Sequence, residues 1–548
     1  MKIKFRKVLL KALGVFMALS GILCLLFYTQ LWNAHVNVSI KDEMRFPLTA
    51  QQRVEDFDYL YKTLEESFPY FEVKKRQYAY DWLAQKDAFI KKIEQASNDQ
   101  EFYSVLSEVL MLLQNGHTNV IPPGREFDEY QSLYSGPHPW SQVYGNTRVA
   151  SSYDYWETIV TEQENTTIPI AFRYIEGNYY ASKNLINPER ATDEWGIPIG
   201  SQLIRVEGED VDVYIKNLIN RRILRYDTSR EKFKLNSFAI RTNSETEITI
   251  KLTQGEEITK VLKPYRPDNL GEAGRSLPEH LFSTEILDEG KIAYLRLPSL
   301  ASSYVDKDRE GIRAFLEETR FYPALIIDIR GNGGGSTDYW MDNIVPLLTD
   351  KRLSSDSYLL FKDSAYIKPF IKQKMFIGYF GLKPLKELSF SNRNPEFYFG
   401  GKDGIFEELD YTIEPSDPVG FKGRILLLVD DYVYSSAESF AVFAKATGWA
   451  TLVGTRTGGD GIGFDPVPVA LPNSGLVVRF PADMGLNPDG SINEEVATLP
   501  DIYVEPSYND FMSQIQAKSQ TSEKHSIMDS LPYDTILRKA VELAYEKE

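Results

Sequence analysis

Apolar residues at Val54, Phe57, Leu60, Tyr61, Leu64 and Phe68 recur three and four positions apart, which gathers them on one face of an amphipathic helix. A second helix is expected around residues 82–93 and a third from Phe102 to Leu113. Ser97 and Gln100 stand in capping-box spacing before the third helix, and Asn115-Gly116 would close it with a left-handed cap. From about residue 168 to 264 the period shortens to that of strands, with Ile248, Ile250 and Leu252 on alternate positions and a strand and turn across residues 200–208. From Lys291 onward, apolar strands such as 324–329 and 425–429 alternate with helical stretches to about Pro506, a pattern that argues for an α/β layer. Residues after Tyr508 read as a polar, helical tail.

Composition narrows the class. The chain has 548 residues, 43% hydrophobic and 13% aromatic, enough for several cores, so it is not a disordered protein. Its formal charge is −17, and the five basic residues Lys2, Lys4, Arg6, Lys7 and Lys11 leave the remainder at about −22, which disfavours nucleic acid as a partner. Residues 12–28 are uncharged and apolar and continue into Leu31-Trp32, roughly the twenty residues that span a bilayer. With the basic flank kept inside, an uncleaved anchor is expected over residues 1–33, with a cleaved signal peptide as the alternative; either leaves the bulk of the chain extracytoplasmic. The single cysteine, Cys24, excludes an internal disulfide, so packing must supply the stability.

The candidate chemistry lies in two loops. Ser435 follows the buried run Arg424-Ile425-Leu426-Leu427-Leu428-Val429-Asp430 and precedes Ser436-Ala437-Glu438-Ser439-Phe440, so a hydroxyl is presented where a strand turns into a helix. About a hundred residues earlier, Ala324-Leu325-Ile326-Ile327-Asp328-Ile329 opens into Arg330-Gly331-Asn332-Gly333-Gly334-Gly335-Ser336, whose glycines leave N–H groups able to face an anion. A nucleophile beside oxyanion donors suits acyl transfer. Each feature has a plainer reading: the glycine loop as a tight turn, Ser435 as a helix N-cap. No phosphate-binding glycine fingerprint is present, no His/Cys cluster suggests a metal, and residues 487–495 do not have EF-hand spacing.

These two runs resemble the serine peptidases of the tail-specific, or C-terminal processing, family and the related tricorn core protease. The family register, an acidic residue three positions after the nucleophile, selects Ser435, with Glu438 three on. The resemblance implies that Ser436 supplies one oxyanion N–H and Gly333 or Gly334 the other. The tail-specific branch draws its base from a lysine in a glycine-rich turn, but Asp460 stands there in Thr457-Gly458-Gly459-Asp460-Gly461, and an aspartate cannot copy a neutral amine. This chain therefore looks like a lysine-lacking branch. The tricorn branch uses a histidine from an N-terminal helical domain, oriented by a glutamate beyond the serine. The counterparts are His117, in Gln114-Asn115-Gly116-His117-Thr118, and Glu494, in Asn493-Glu494-Glu495-Val496-Ala497, with Glu495 as the reserve. The other histidines are His35, His138, His280 and His525. A neutral imidazole takes the serine proton and a carboxylate fixes its tautomer.

The expected fold is α+β and multidomain: a membrane anchor or signal segment at 1–33, an N-terminal helical domain at 50–125 and a PDZ-like β-rich module at 165–266. A peptidase core at 285–508, implied by the resemblance to be crotonase-like with stacked ββα units, and a C-terminal tail at 509–548 complete it. The core carries an insertion at about 352–420. Within it, residues 358–388 hold six lysines against Asp363 and Glu387, interleaved with Phe361, Tyr366, Phe370, Phe376, Tyr379 and Phe380. That stretch could be a lid or subsite wall, a packed insertion, or a membrane-facing patch. A serine endopeptidase acting on polypeptides without a cofactor is expected, with a non-catalytic peptide- or lipid-binding protein on the same scaffold as the rival. Asp328 is expected to support its strand end or cap the glycine loop, and Asp460 to bond turn amides.

Overall fold

The computed structural model describes residues 35–546 apart from 37, 42–43, 137–138, 161–165, 187–195, 267–277, 376–380, 390–393, 402–403 and 519–526. The expected anchor at 1–33 lies outside them. Among the described residues no helix is long and apolar enough to cross a membrane. The chain is a mixed α+β protein of two compact units, the first of Met1–Thr161, Leu360–Glu407 and Phe464–Asp483, the second of Glu162–Leu359, Glu408–Gly463 and Met484–Glu548.

In the first unit the periodic stretch forms Ala50–Ser67, opened by a Thr49–Gln52 capping box. Phe57, Leu60 and Leu64 are fully buried, as the three- and four-residue spacing requires. Lys86–Gln95 and Asp99–Met111 follow. The third helix starts one residue later than the capping-box spacing suggests. Asn98 is the N-cap, its side chain accepting from Glu101 N at 2.9 Å, while Glu101 Oε2 accepts from Ser97 N at 2.8 Å. Asn is as good a cap as Ser, and this register satisfies two donors reciprocally. Strand Asn119–Val120 pairs with Val477–Phe480, which pairs with Val467–Ala470. Buried Asp56 fixes this distant segment by accepting Asn473 N at 2.7 Å and Ser474 N at 2.8 Å. The described part of the lysine-rich insertion packs here as core: Phe361 and Phe370 are fully buried, Phe370 meets Trp140 edge-on at 4.8 Å, and Tyr366 donates to Pro468 O at 2.7 Å. Phe376, Tyr379 and Phe380 lie outside the described residues.

The second unit holds two large sheets. One has seven strands, in the order Glu257–Leu262, Thr246–Lys251, Gln202–Val206, Asn178–Asn184, Thr167–Ile175, Ser237–Arg241, with Glu209–Asp210 beside Gln202–Val206. Its core of Phe172, Tyr179, Leu203, Ile248 and Ile250 is fully buried. The other has six strands, Ser283–Asp288, Ile292–Arg296, Ala324–Asp328, Arg424–Val429, Thr451–Gly454, Ile502–Tyr503; the first pair is antiparallel and the others parallel.

The six-stranded sheet is covered on both faces, which is why its central strands read as unbroken apolar runs. Leu325, Ile327 and Leu427 share one core with Ile312, Trp340, Phe440 and Phe443. The alternating Ile326, Leu426 and Leu428 share another with Ile536, Leu537, Ala540 and Leu543 of helix Thr535–Tyr545. The stretch expected as a polar tail is thus helical as expected, but it is built into the core. Tyr508–Lys518 also packs, through Phe511 against Ile175 and Ile199 and through Tyr508 Oη to Gly200 O at 3.0 Å. Short amphipathic stripes in polar company hid this role, since only Ile536, Leu537, Ala540 and Leu543 face inward.

Leu537→Ala is expected to lower the free energy of unfolding by roughly 2–5 kcal/mol, the cost of a buried leucine cavity, as measured by urea titration. A solvated tail would show a change near zero.

Candidate active site

Parallel register decides where the two candidate loops emerge. Ile327 pairs with Leu427 and Asp328 with Leu428, so adjacent strands end side by side and the chain leaves both at the same edge of the sheet. At that edge Asp328 is almost fully buried and accepts from Tyr294 Oη at 2.7 Å, Arg296 Nη1 at 2.8 Å and the Arg330 N–H at 2.9 Å. Burial works against its charge, but Arg330 and Arg296 outweigh it and hold the carboxyl below its ordinary range.

The glycine loop spends nearly all of its amides on itself and its neighbours. Arg330 N donates to Asp328, Gly331 N to Asp430 Oδ1 at 2.9 Å, Asn332 N to Ile329 O at 3.1 Å, and Gly334 N to Asn332 Oδ1 at 2.8 Å. Gly333 and Gly335 are the exceptions: both residues are exposed, and among the described residues neither N–H has a partner. Asn332, fully buried, is the keystone: its side chain also donates to Leu297 O at 2.8 Å, and its carbonyl accepts from Tyr434 N at 3.2 Å.

That last bond reaches the serine turn. Gly334 has φ +104°, and a Cβ there would sit 2.8 Å from Ser435 Cβ, 2.8 Å from Tyr434 O and 2.9 Å from Ser436 N. Only glycine allows so close an approach. Ser435 itself has φ 56° and ψ −129°, and its side chain does not cap the helix Ser436–Thr447 that follows. The N-cap reading of the hydroxyl therefore fails. Such a backbone costs roughly 1–3 kcal/mol and persists because the surroundings over-determine it. The Ser436 N–H, in the first turn of the helix, also lacks a partner among the described residues.

A third segment closes around this turn. Ser435 N donates to Gly459 O at 3.4 Å, and Tyr434 Oη to Asp460 Oδ2 at 2.8 Å. Asp460 thus bonds a side chain, and it anchors the residue next to the serine. A Cβ on Gly459 would meet Asn493 O at 2.7 Å and Glu494 Cα at 3.3 Å, so the helix Asn493–Val496 lies directly against this loop. Glu438, fully buried, ties the same helix to the helix Ser436–Thr447 by accepting from Asn493 Nδ2 at 2.9 Å and Thr498 Oγ1 at 2.7 Å. Burial pushes its carboxyl up to about 7, against hydrogen bonds that favour the charge. Asp430 is likewise raised to about 6, chiefly by burial.

Within the second unit the structure therefore gathers Ser435, Ser436, the glycine loop and the Glu494 segment. Negative charge on Glu494 contributes to holding the Tyr434 phenol above its ordinary range, behind burial and Asp460. His117 is described in the first unit. The helix before it ends at Met111, and the left-handed residue is Gln114 (φ 49°), not Asn115 or Gly116. His117 therefore lies beyond the helix end and not directly after its cap. Instead Asn115 Oδ1 accepts from His117 N at 2.9 Å and Thr118 Oγ1 at 3.0 Å, an Asx turn that orients the histidine backbone. Of the other histidines, His280 bonds Asp308 at 2.9 Å, and His138 and His525 lie outside the described residues. Sequence reasoning missed Asn332 and Asp430, and treated Glu438 only as a register mark. Their signals were slight: a polar residue between glycines, and an acid closing a buried strand.

Residues 291–504 match the family model of Peptidase family S41. They contain the five parallel-paired strands, the glycine loop, Ser435 and Glu494, so this region of the chain is that of an S41 serine peptidase. Among solved structures, mature CPAF complexed with lactacystin matches with a TM-score of 0.53 at 15% identity, over 86% of this chain and 98% of that chain. A serine-to-alanine mutant of the same protein matches with a TM-score of 0.54 at 16% identity, over 86% and 97%. At that identity the likeness is one of fold. No curated protein sequence matches the chain.

The folded protein holds the Glu438 proton to about pH 7, whereas the unfolded chain releases it near 4.5, so this group costs stability as pH rises between those values. The unfolding free energy of wild type minus that of Glu438→Gln should fall from about pH 4.5 to about pH 7 and then level off, read from urea titrations at a series of pH values. A difference that is flat or rises across that window would refute the assignment.

Proposed function

We propose that this protein is an extracytoplasmic serine endopeptidase, held at the membrane by residues 1–33. Ser435 attacks the scissile carbonyl, His117 takes its proton and returns it to the leaving amine, and Glu494 orients the imidazole. The N–H groups of Gly333 and Ser436 hold the oxyanion. The observation that carries this reading is the packing of an exposed, unpartnered Gly333 amide one residue from the Gly334–Ser435 contact, beside a strained serine whose hydroxyl caps nothing. Gly334 is the weaker oxyanion candidate, because its amide is spent on Asn332. Glu494 is preferred to Glu495 because its backbone lies against Gly459, which bonds Ser435.

The substrate is a polypeptide, in keeping with the family. Asp460 in the lysine position keeps a clasp on Tyr434, which supports a base from outside this loop. No cofactor has a part in this chemistry. We assign the seven-stranded sheet at 167–262 to a PDZ-like module and the six-stranded sheet with its helices to a crotonase-like core, on the expectation drawn from the sequence.

Labelling with a fluorophosphonate probe, followed by intact mass, tests the reading. One adduct is expected, lost in Ser435→Ala, kept in Ser436→Ala and slowed by at least about a hundredfold in His117→Ala, the scale of a general base. Labelling that His117→Ala leaves unchanged would remove His117 as the base, and no adduct on folded wild type would favour the binding-protein reading.

A further inference from the structure

The C-terminal helix Thr535–Tyr545 does more than cover the sheet. Its N-cap, Asp534, accepts from Leu537 N at 3.0 Å and also receives a two-pronged bond from Arg330, Nη1 to Oδ1 and Nη2 to Oδ2, each at 2.8 Å. Arg330 is the first residue of the glycine loop. Its other edge bonds Asp328, with Nε to Oδ1 at 3.0 Å and Nη2 to Oδ2 at 2.7 Å. A planar guanidinium wedged between two carboxylates has little freedom to rotate, which a lysine in its place could not reproduce. The same Asp328 Oδ1 accepts the Arg330 N–H, so side chain and backbone are fixed by one group.

From this geometry we infer that Asp534 is a positioning residue for the oxyanion loop, acting through Arg330 to aim the Gly333 N–H. The inference rests on the peptidase reading above. Asp534 touches neither the serine nor any substrate in that reading; it sets the orientation of the side chain from which the loop hangs. Two residues, Gly331 and Asn332, separate Arg330 from Gly333, and the amide of each is tied down, so a rotation at Arg330 passes to the first unspent amide of the loop. The helix itself has independent anchors. Asp510 accepts from Thr535 Oγ1 at 2.6 Å and from Arg538 Nη2 at 2.7 Å, and Ile536, Leu537, Ala540 and Leu543 are buried. Removing the Asp534 charge should therefore leave the fold standing, and Asn or Ser in its place can still cap the helix.

The test uses full-length protein, fluorescein-labelled casein and the fluorophosphonate probe. In Asp534→Asn and Asp534→Ser, kcat on casein and the labelling rate should each fall by about tenfold while KM stays within about twofold, because an oxyanion donor acts in the transition state and not in substrate binding. In an Arg330→Gln background, Asp534→Asn should cause no further loss, since its effect passes through Arg330. Wild-type kcat and labelling in both Asp534 variants would overturn the inference and leave the peptidase reading intact. So would a rise in KM alone, a loss that tracks the unfolded fraction by circular dichroism, or full additivity with Arg330→Gln. A wild type that neither cleaves casein nor takes up the probe would fail the peptidase reading, and the inference with it.

Discussion

Parallel pairing of Ala324–Asp328 with Arg424–Val429 is the constraint on which the candidate site depends. Parallel neighbours end at the same edge, so the glycine loop and the serine turn, about a hundred residues apart in the chain, leave the sheet next to one another. A slip of one residue would exchange the two buried faces and turn Leu325 and Ile327 toward the wrong core. Because both faces are covered, that register is held by apolar burial on each side.

Buried polar groups complete what register begins. Asp328, Asn332, Asp430 and Glu438 are each largely or wholly enclosed, and desolvation opposes every one of the three charges. They persist because each accepts at least two hydrogen bonds from loop amides or neighbouring side chains. Removing a partner from such a network leaves an unmet group in a low dielectric, so these residues dictate loop shape more than they add net stability. The result is a loop that leaves the Gly333 amide unspent, packed through Gly334 against a serine whose backbone lies in a strained region.

Much of this was legible in the chain. Six apolar positions in Val54–Phe68 predicted the first helix, and the unbroken runs at 324–329 and 425–429 predicted buried strands, because burial leaves a period that any window can read. The serine turn and the glycine loop stood out for a similar reason: each is a short local pattern. The third helix was displaced by a residue at its start and by two at its end, since Asn98 competes equally with Ser97 as a cap and Gln114 takes the left-handed turn in place of glycine. The lid, packed-insertion and membrane readings of residues 358–388 could not be separated by composition, which is blind to whether Phe361 and Phe370 face a core or solvent.

The amino-acid sequence by itself determined the class of protein, the serine and the glycine loop, because these are set by residue type and short-range spacing. Tertiary structure alone decided that Gly334 spends its amide while Gly333 does not, that Asp460 clasps Tyr434, and that the C-terminal segment is a core helix bound to Arg330. The last two outcomes depend on which groups meet across 26 and 204 residues of chain, and such meetings leave no periodic trace in the residues that make them.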